Sequence, residues 1–198
     1  MKKKKTVMLL FLFLSVGING QNKSNLETIN GLIDSSTINI LKSMEDLSDS
    51  YILINNSPIE FAALNQHVKT AMVKSGINIQ VGETGLDKIN YSISNVNVNY
   101  SSLFRDGIFG DYLLERNTVI SGEYLIQNSK TVSIANTFNY TLTDTIQYNN
   151  IGFVENNSLP FTKGNIPSAP LFPSILEPII AVTSVAVTVI LFFSVRSK

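Results

Sequence analysis

Seventeen consecutive residues near the C-terminus, Ile179 to Val195, are uncharged and mostly apolar, longer than the runs small soluble cores commonly use. As a helix they cover about 25 Å, slightly short of a ~30 Å hydrocarbon layer. Extending the run back to Ile175 takes in Leu176, Glu177 and Pro178. The expectation is a transmembrane helix over 175–195, with Glu177 at headgroup depth and Pro178 in the first turn, where its missing N–H costs nothing. A membrane-spanning strand would alternate apolar and polar faces. "VILFFSV" does not alternate, so the helix is preferred. Arg196 and Lys198 follow the run, and basic residues favour the cytoplasmic side, so 196–198 is expected as a cytoplasmic tail. A lipid-anchor attachment signal does not normally finish on two cations.

Lys2 to Lys5 precede a second apolar run, Thr6 to Ile18, and Gly20 stands before Gln21. Basic start, short apolar middle and small residue describe a secretory signal peptide over 1–20, with an uncleaved anchor as the rival. Both ends together predict a single-pass membrane protein whose domain faces the periplasm or exterior.

The 154 residues between these segments suffice for one domain with one core. They hold nine Lys+Arg against 14 Asp+Glu, a net charge of −5, although the whole chain sums to zero. A mildly acidic domain is a poor candidate for binding nucleic acid or an anionic lipid surface. Cysteine is absent, which removes disulfides, thiolate metal sites, a cysteine nucleophile and a lipidated N-terminal cysteine.

The coarse reading of this region is α/β, with α+β as the alternative. Residues 21–30 read as a polar leader. A helical stripe follows from Asp34 through Ile40, Leu41, Met44 and Leu47, with Ser35 or Ser36 available as cap. "YILIN", Tyr51 to Asn55, is a short apolar run suited to a strand covered on both faces. Ser57-Pro58-Ile59-Glu60 reads as a capping box with proline at the first helical position. Phe61, Leu64, Val68, Ala71 and Met72 then form one stripe, and Gly76 supplies the stop. "INIQV", Ile77 to Val81, completes a βαβ unit.

Beyond Gly85 the period becomes two. Ile89, Tyr91 and Ile93 share a parity that Val96, Val98 and Tyr100 break, so a β-bulge is expected near Ser94-Asn95. Ile120, Tyr124 and Ile126, then Val132, Ile134, Phe138, Tyr140 and Leu142, predict a half-exposed antiparallel hairpin turning at Asn128-Ser129. "DTIQYNNIGFVEN" fits either an amphipathic turn or a short strand. From 157 to 174 four prolines, Pro160, Pro167, Pro170 and Pro173, suggest an extended stalk of about 55 Å. The division is therefore signal peptide 1–20, extracytoplasmic domain 21–156, stalk 157–174, membrane helix 175–195 and tail 196–198.

No catalytic, cofactor-binding or metal-binding residues are assigned. His67, the only histidine, lies on a helix flank without a second ligand in sequence. Asp106 and Asp111 flank a glycine loop, and Glu45, Asp46 and Asp49 end a helix; paired carboxylates can hydrolyse glycosides only at a set separation inside a cleft. "GETG" lacks phosphate-loop spacing. Tyr91, Tyr100, Tyr124, Phe138 and Tyr140 could line a ligand-binding face, but their period-two spacing is that of a core. Six Asn-x-Ser/Thr sequons, the first at Asn22, matter only in a eukaryotic secretory route.

"LPFTK", Leu159 to Lys163, resembles the sorting motif of sortase-anchored surface proteins, with Lys163 where that motif has glycine. "YILIN", "LNQHVKTAMVKSGINIQVGE" and "ISGEYLIQNSKTVSIANTF" together resemble the βαβ-plus-hairpin domains of bacterial envelope assembly factors. These are the flagellar-assembly, curli-secretion and penicillin-binding-protein-activator families. Their members are mostly non-enzymatic and carry an N-terminal lipidated cysteine, for which this chain has a C-terminal apolar helix instead. The layout also resembles small exported proteins of Asn- and Ile-rich bacteria. These resemblances imply a non-catalytic scaffold or accessory subunit, with the bilayer, through Ile175–Val195, and an envelope protein as partners. The alternatives are a carboxylate-based cell-wall hydrolase and a ligand-binding module on the sheet face.

Overall fold

The computed structural model describes residues 23–44, 50–80, 87–107, 110–127, 133–168 and 173–196, with side chains of the last stretch from 178 to 194. The expected signal peptide, the carboxylates Glu45, Asp46 and Asp49, the stretch 82–85 and the turn at Asn128-Ser129 lie outside these residues.

The first helix, α1 (Asn25–Ser43), starts well before Asp34. Ser24 Oγ accepts the Glu27 N–H at 3.2 Å while the Glu27 carboxylate accepts the Ser24 N–H at 2.7 Å, a closed capping box. The Ser24 N–H, and after it the Ser24 hydroxyl donating to the same carboxylate at 3.0 Å, hold the Glu27 carboxyl below its usual pKa. Of the residues expected as a polar leader, 25–30 thus open this helix.

Strand β1 (Tyr51–Asn55) forms as expected, though only Tyr51 is fully buried. The second capping box does not close. Residues Ile59–Leu64 form a 3₁₀ turn without a side-chain cap. Ser57 Oγ accepts the Ile93 N–H at 2.9 Å and donates to Asn55 Oδ1 at 2.6 Å, so a neighbouring strand has taken the hydroxyl. Helix α2 (Asn65–Lys74) buries Val68, Ala71 and Met72, in line with the buried Phe61 and Leu64 of the turn. Gly76, at φ 99°, ends it, and the Ile77 N–H returns to the Met72 carbonyl at 3.0 Å. Strand β2 (Ile79–Gln80) is only two residues but runs parallel to β1, completing the βαβ unit.

β3 (Asp87–Arg105) pairs in parallel with β1 and antiparallel with β4 (Tyr112–Gln127), which pairs antiparallel with β5 (Ile134–Gln147). The sheet order is β2-β1-β3-β4-β5. The expected bulge is present: the register with β4 shifts between Ile93 and Asn95, and all six apolar residues Ile89, Tyr91, Ile93, Val96, Val98 and Tyr100 are buried. Gly122 faces Ile93 at that bulge, where a Cβ would come within 2.1 Å of the Ser92 carbonyl oxygen and 2.5 Å of the Phe138 ring. Helix α1 packs on β4 and β5, with α2 beside it, so the core lies on one face of the sheet. The architecture is α+β, an open mixed sheet whose other face is polar and half-exposed.

After β5 a 3₁₀ turn leads to α3 (Ile151–Val154), and a second turn over Pro160–Thr162 leads to β6 (Gly164–Asn165). β6 pairs in parallel with Val98 and Asn99 of β3. The Pro-rich stretch expected as an extended stalk from 157 is therefore part of the fold as far as Asn165. Thr162 is fully buried, and the Phe161 ring meets Phe61 edge-on at 5.8 Å. Turns closed by internal hydrogen bonds, such as the Thr162 N–H to the Leu159 carbonyl at 2.9 Å, stand where extended chain was expected, and only Gly164 and Asn165 pair with β3.

The last helix, α4 (Pro173–Arg196), has 24 residues, about 36 Å. It begins two residues before the expected start, so Pro173 holds the first position and Pro178 is interior. Among the described residues no helix is long and apolar enough to cross a membrane. The described side chains of α4, residues 178–194, are exposed on every side.

Candidate functional site

α1 is fastened to the sheet by tyrosine hydroxyls. Tyr91 meets Ser36 Oγ at 2.8 Å, Tyr124 meets Ser43 Oγ at 2.8 Å, and Tyr100 and Tyr140 accept from the amides of Asn25 and Asn39. Tyr91 also stacks on Phe138, ring centroids 5.2 Å apart. The aromatic residues weighed as a ligand-binding face thus lie on the sheet face that α1 covers. Burial raises the Tyr91 hydroxyl pKa above its ordinary value, so it stays a neutral partner for Ser36.

A polar junction is buried at the N-terminal end of α1. Arg116, fully buried on β4, donates Nε to Asp144 Oδ1 at 2.8 Å and Nη2 to Asp144 Oδ2 at 2.5 Å. Its Nη1 donates to the Lys23 carbonyl at 2.8 Å and to Asn25 Oδ1 at 2.7 Å. The Asn25 amide donates in turn to the Tyr100 hydroxyl and the Thr162 carbonyl, each at 2.7 Å. Glu155 accepts the Gly164 N–H at 3.0 Å. Burial, aided by the Glu155 carboxylate, pushes the Tyr100 hydroxyl up to about 12. Each of these groups has a partner, so the junction clamps α1, β3, β4, β5 and the C-terminal segment together. The parity of Ile120, Tyr124 and Ile126 puts Arg116 on the inward face, but the partners that neutralise it come from distant segments that the sequence pattern does not name.

The remaining candidates are dispersed. His67 Nε2 lies 2.9 Å from Asp34 Oδ1 and 3.2 Å from the Asn30 carbonyl oxygen, joining α2 to α1. Among the described residues no three His, Asp or Glu are grouped to hold a metal. Asp106 and Asp111 sit on the exposed turn between β3 and β4, where Asp111 accepts from Gln147 at 3.0 Å. Thr162, the fourth residue of the sorting-like motif, is buried and its carbonyl engaged by Asn25.

At the opposite end of the sheet, an open depression of about 680 Å³ lies on the helix-free face, lined in part by Asn56, Asn90, Ser92, Glu123, Gln127 and Thr137. Its amides, hydroxyls and one carboxylate can exchange hydrogen bonds with a polar surface.

No protein-family model and no curated protein matches the chain. Among solved structures it is similar to a minor lipoprotein from Acinetobacter baumannii, at 13% identity and TM-score 0.34 over 52% of this chain and 69% of that one. It is also similar to the rare lipoprotein B from Shewanella oneidensis, at 12% identity and TM-score 0.31 over 71% of this chain and 98% of that one. Neither is one of the assembly-factor families that the sequence resembles, and likeness at this level carries no functional argument.

Proposed function

We propose that the chain is a non-catalytic envelope protein, anchored in a membrane by α4 and acting through protein contacts as a scaffold or accessory subunit. The observation carrying this reading is the exposed apolar surface of α4. Ten of its large apolar residues, from Ile179 to Phe193, stand exposed around the whole circumference. Burying each is worth about 1.5–3 kcal/mol, and a helix apolar all round belongs in a core or a bilayer. The described side chains alone fall short of a span, but 175–195 of the same helix reaches about 31 Å, matching the hydrocarbon layer. The βαβ unit, the three-stranded meander and the polar junction are complete without it. The polar helix-free sheet face is then the surface available to partners.

Orientation provides the test. Protease added to intact spheroplasts of an expressing bacterium should digest the domain and spare an epitope placed after Lys198. Digestion of the epitope with survival of the domain would overturn the reading.

A further inference from the structure

We infer that the end of the sheet carrying the β3–β4 turn rests on the bilayer surface, so that the domain docks on lipid instead of standing away from it. The inference builds on the anchoring role of α4 and adds a second, distinct contact. Three observations carry it.

The first is a second bulge. Ser101 pairs with Glu115 and Phe104 with Leu113, so β3 holds one residue more than β4 between those pairs. Without the extra residue Phe104 would share the inward parity of Val98 and Tyr100. With it, Phe104 faces outward beside Leu113 and is 45% exposed. The bulge needs Ser102 at φ 51°, a conformation that is unfavourable for a residue with a side chain. A strained backbone that turns a phenylalanine out of the core points to a use for that ring on the surface.

The second is the company Phe104 keeps. Phe153, on α3 six residues after Gln147, the partner of Leu113, is 84% exposed. The Arg105 guanidinium lies over the Tyr112 ring, 5.4 Å from its centroid. Aromatic rings with a basic residue compose the interfacial zone of membrane proteins. Asp106 and Asp111 on the same turn disfavour anionic lipid, so the surface expected is zwitterionic.

The third is the connection. Seven residues separate Asn165 of β6 from Pro173 of α4, reaching at most about 29 Å. From the level of Asn99, the partner of Asn165, the strand end at Arg105 is about 20 Å away. The opposite end at Lys88 is about 35 Å away, beyond that reach. The connection thus lets the bilayer reach the end where Phe104 and Phe153 are exposed, and not the opposite end, where the polar depression lies.

The chain contains no tryptophan, so single introduced tryptophans report without background. Full-length Phe104→Trp, Phe153→Trp, Ile134→Trp and Phe193→Trp proteins would be reconstituted in phosphatidylcholine vesicles with and without acyl-chain bromine. Phe193→Trp tests the anchor, and Ile134→Trp reports from the far end. The expected result is loss of emission in brominated vesicles for Phe193→Trp, Phe104→Trp and Phe153→Trp, with Ile134→Trp unchanged. Quenching of Phe193→Trp alone, or of Ile134→Trp as strongly as the others, overturns the docking inference and spares the anchor. An unquenched Phe193→Trp overturns both.

Discussion

Arg116 is the residue on which the fold's polar interior turns. A guanidinium with no solvent exposure is tolerated because Asp144 takes two of its donors, and Lys23 and Asn25 take Nη1. Removing one partner of such a pair leaves a buried charge uncompensated, typically at about 3–5 kcal/mol, whereas apolar replacement of the ion costs far less. Asp144 is partly open to water, so Asp144→Ala should destabilise by about 3 kcal/mol, the lower end. Adding Arg116→Met to Asp144→Ala should recover at least about 1 kcal/mol, read as the midpoint of urea unfolding. If the double variant is less stable than Asp144→Ala, the account of the junction is wrong.

At the scale of elements, two glycines separate helix propensity from packing. Gly31 sits within α1 with nothing near an added Cβ, so Gly31→Ala should stabilise by about 1 kcal/mol. Gly122 sits against the Ser92 carbonyl and the Phe138 ring, so Gly122→Ala should cost at least about 1–3 kcal/mol through forced displacement at the bulge. Thermal unfolding of both variants checks the contrast; equal shifts would contradict it.

The bulge beside Gly122 was legible in sequence because a change of apolar parity has one cheap structural solution. The α2 stripe and its glycine stop were legible for the same reason, each being a local pattern with a local cause. Two elements misled. Ser24-Asn25-Leu26-Glu27 is a capping box hidden in polar sequence, while Ser57-Pro58-Ile59-Glu60 looks like one and fails because β3 takes its serine. The junction around Arg116 was invisible, since residues far apart in sequence supply its partners. The outward turn of Phe104 depends on the register of β4, which no single strand encodes.

On the scale of the whole molecule, the chain divides between a domain closed at β6 and a helix exposed along its described length. The domain needs nothing from α4: its core residues lie between Ile29 and Val154. The described side chains of the helix, residues 178–194, are all exposed. This separation is the central claim, and it is tested by deleting 173–198 and following the protein through membrane preparation. The full chain should stay with the membrane through an alkaline carbonate wash and leave only with detergent. The truncated chain should be soluble and unfold cooperatively at the same urea midpoint as the full chain in detergent. Release of the full chain by carbonate, or loss of cooperative unfolding on truncation, would contradict it.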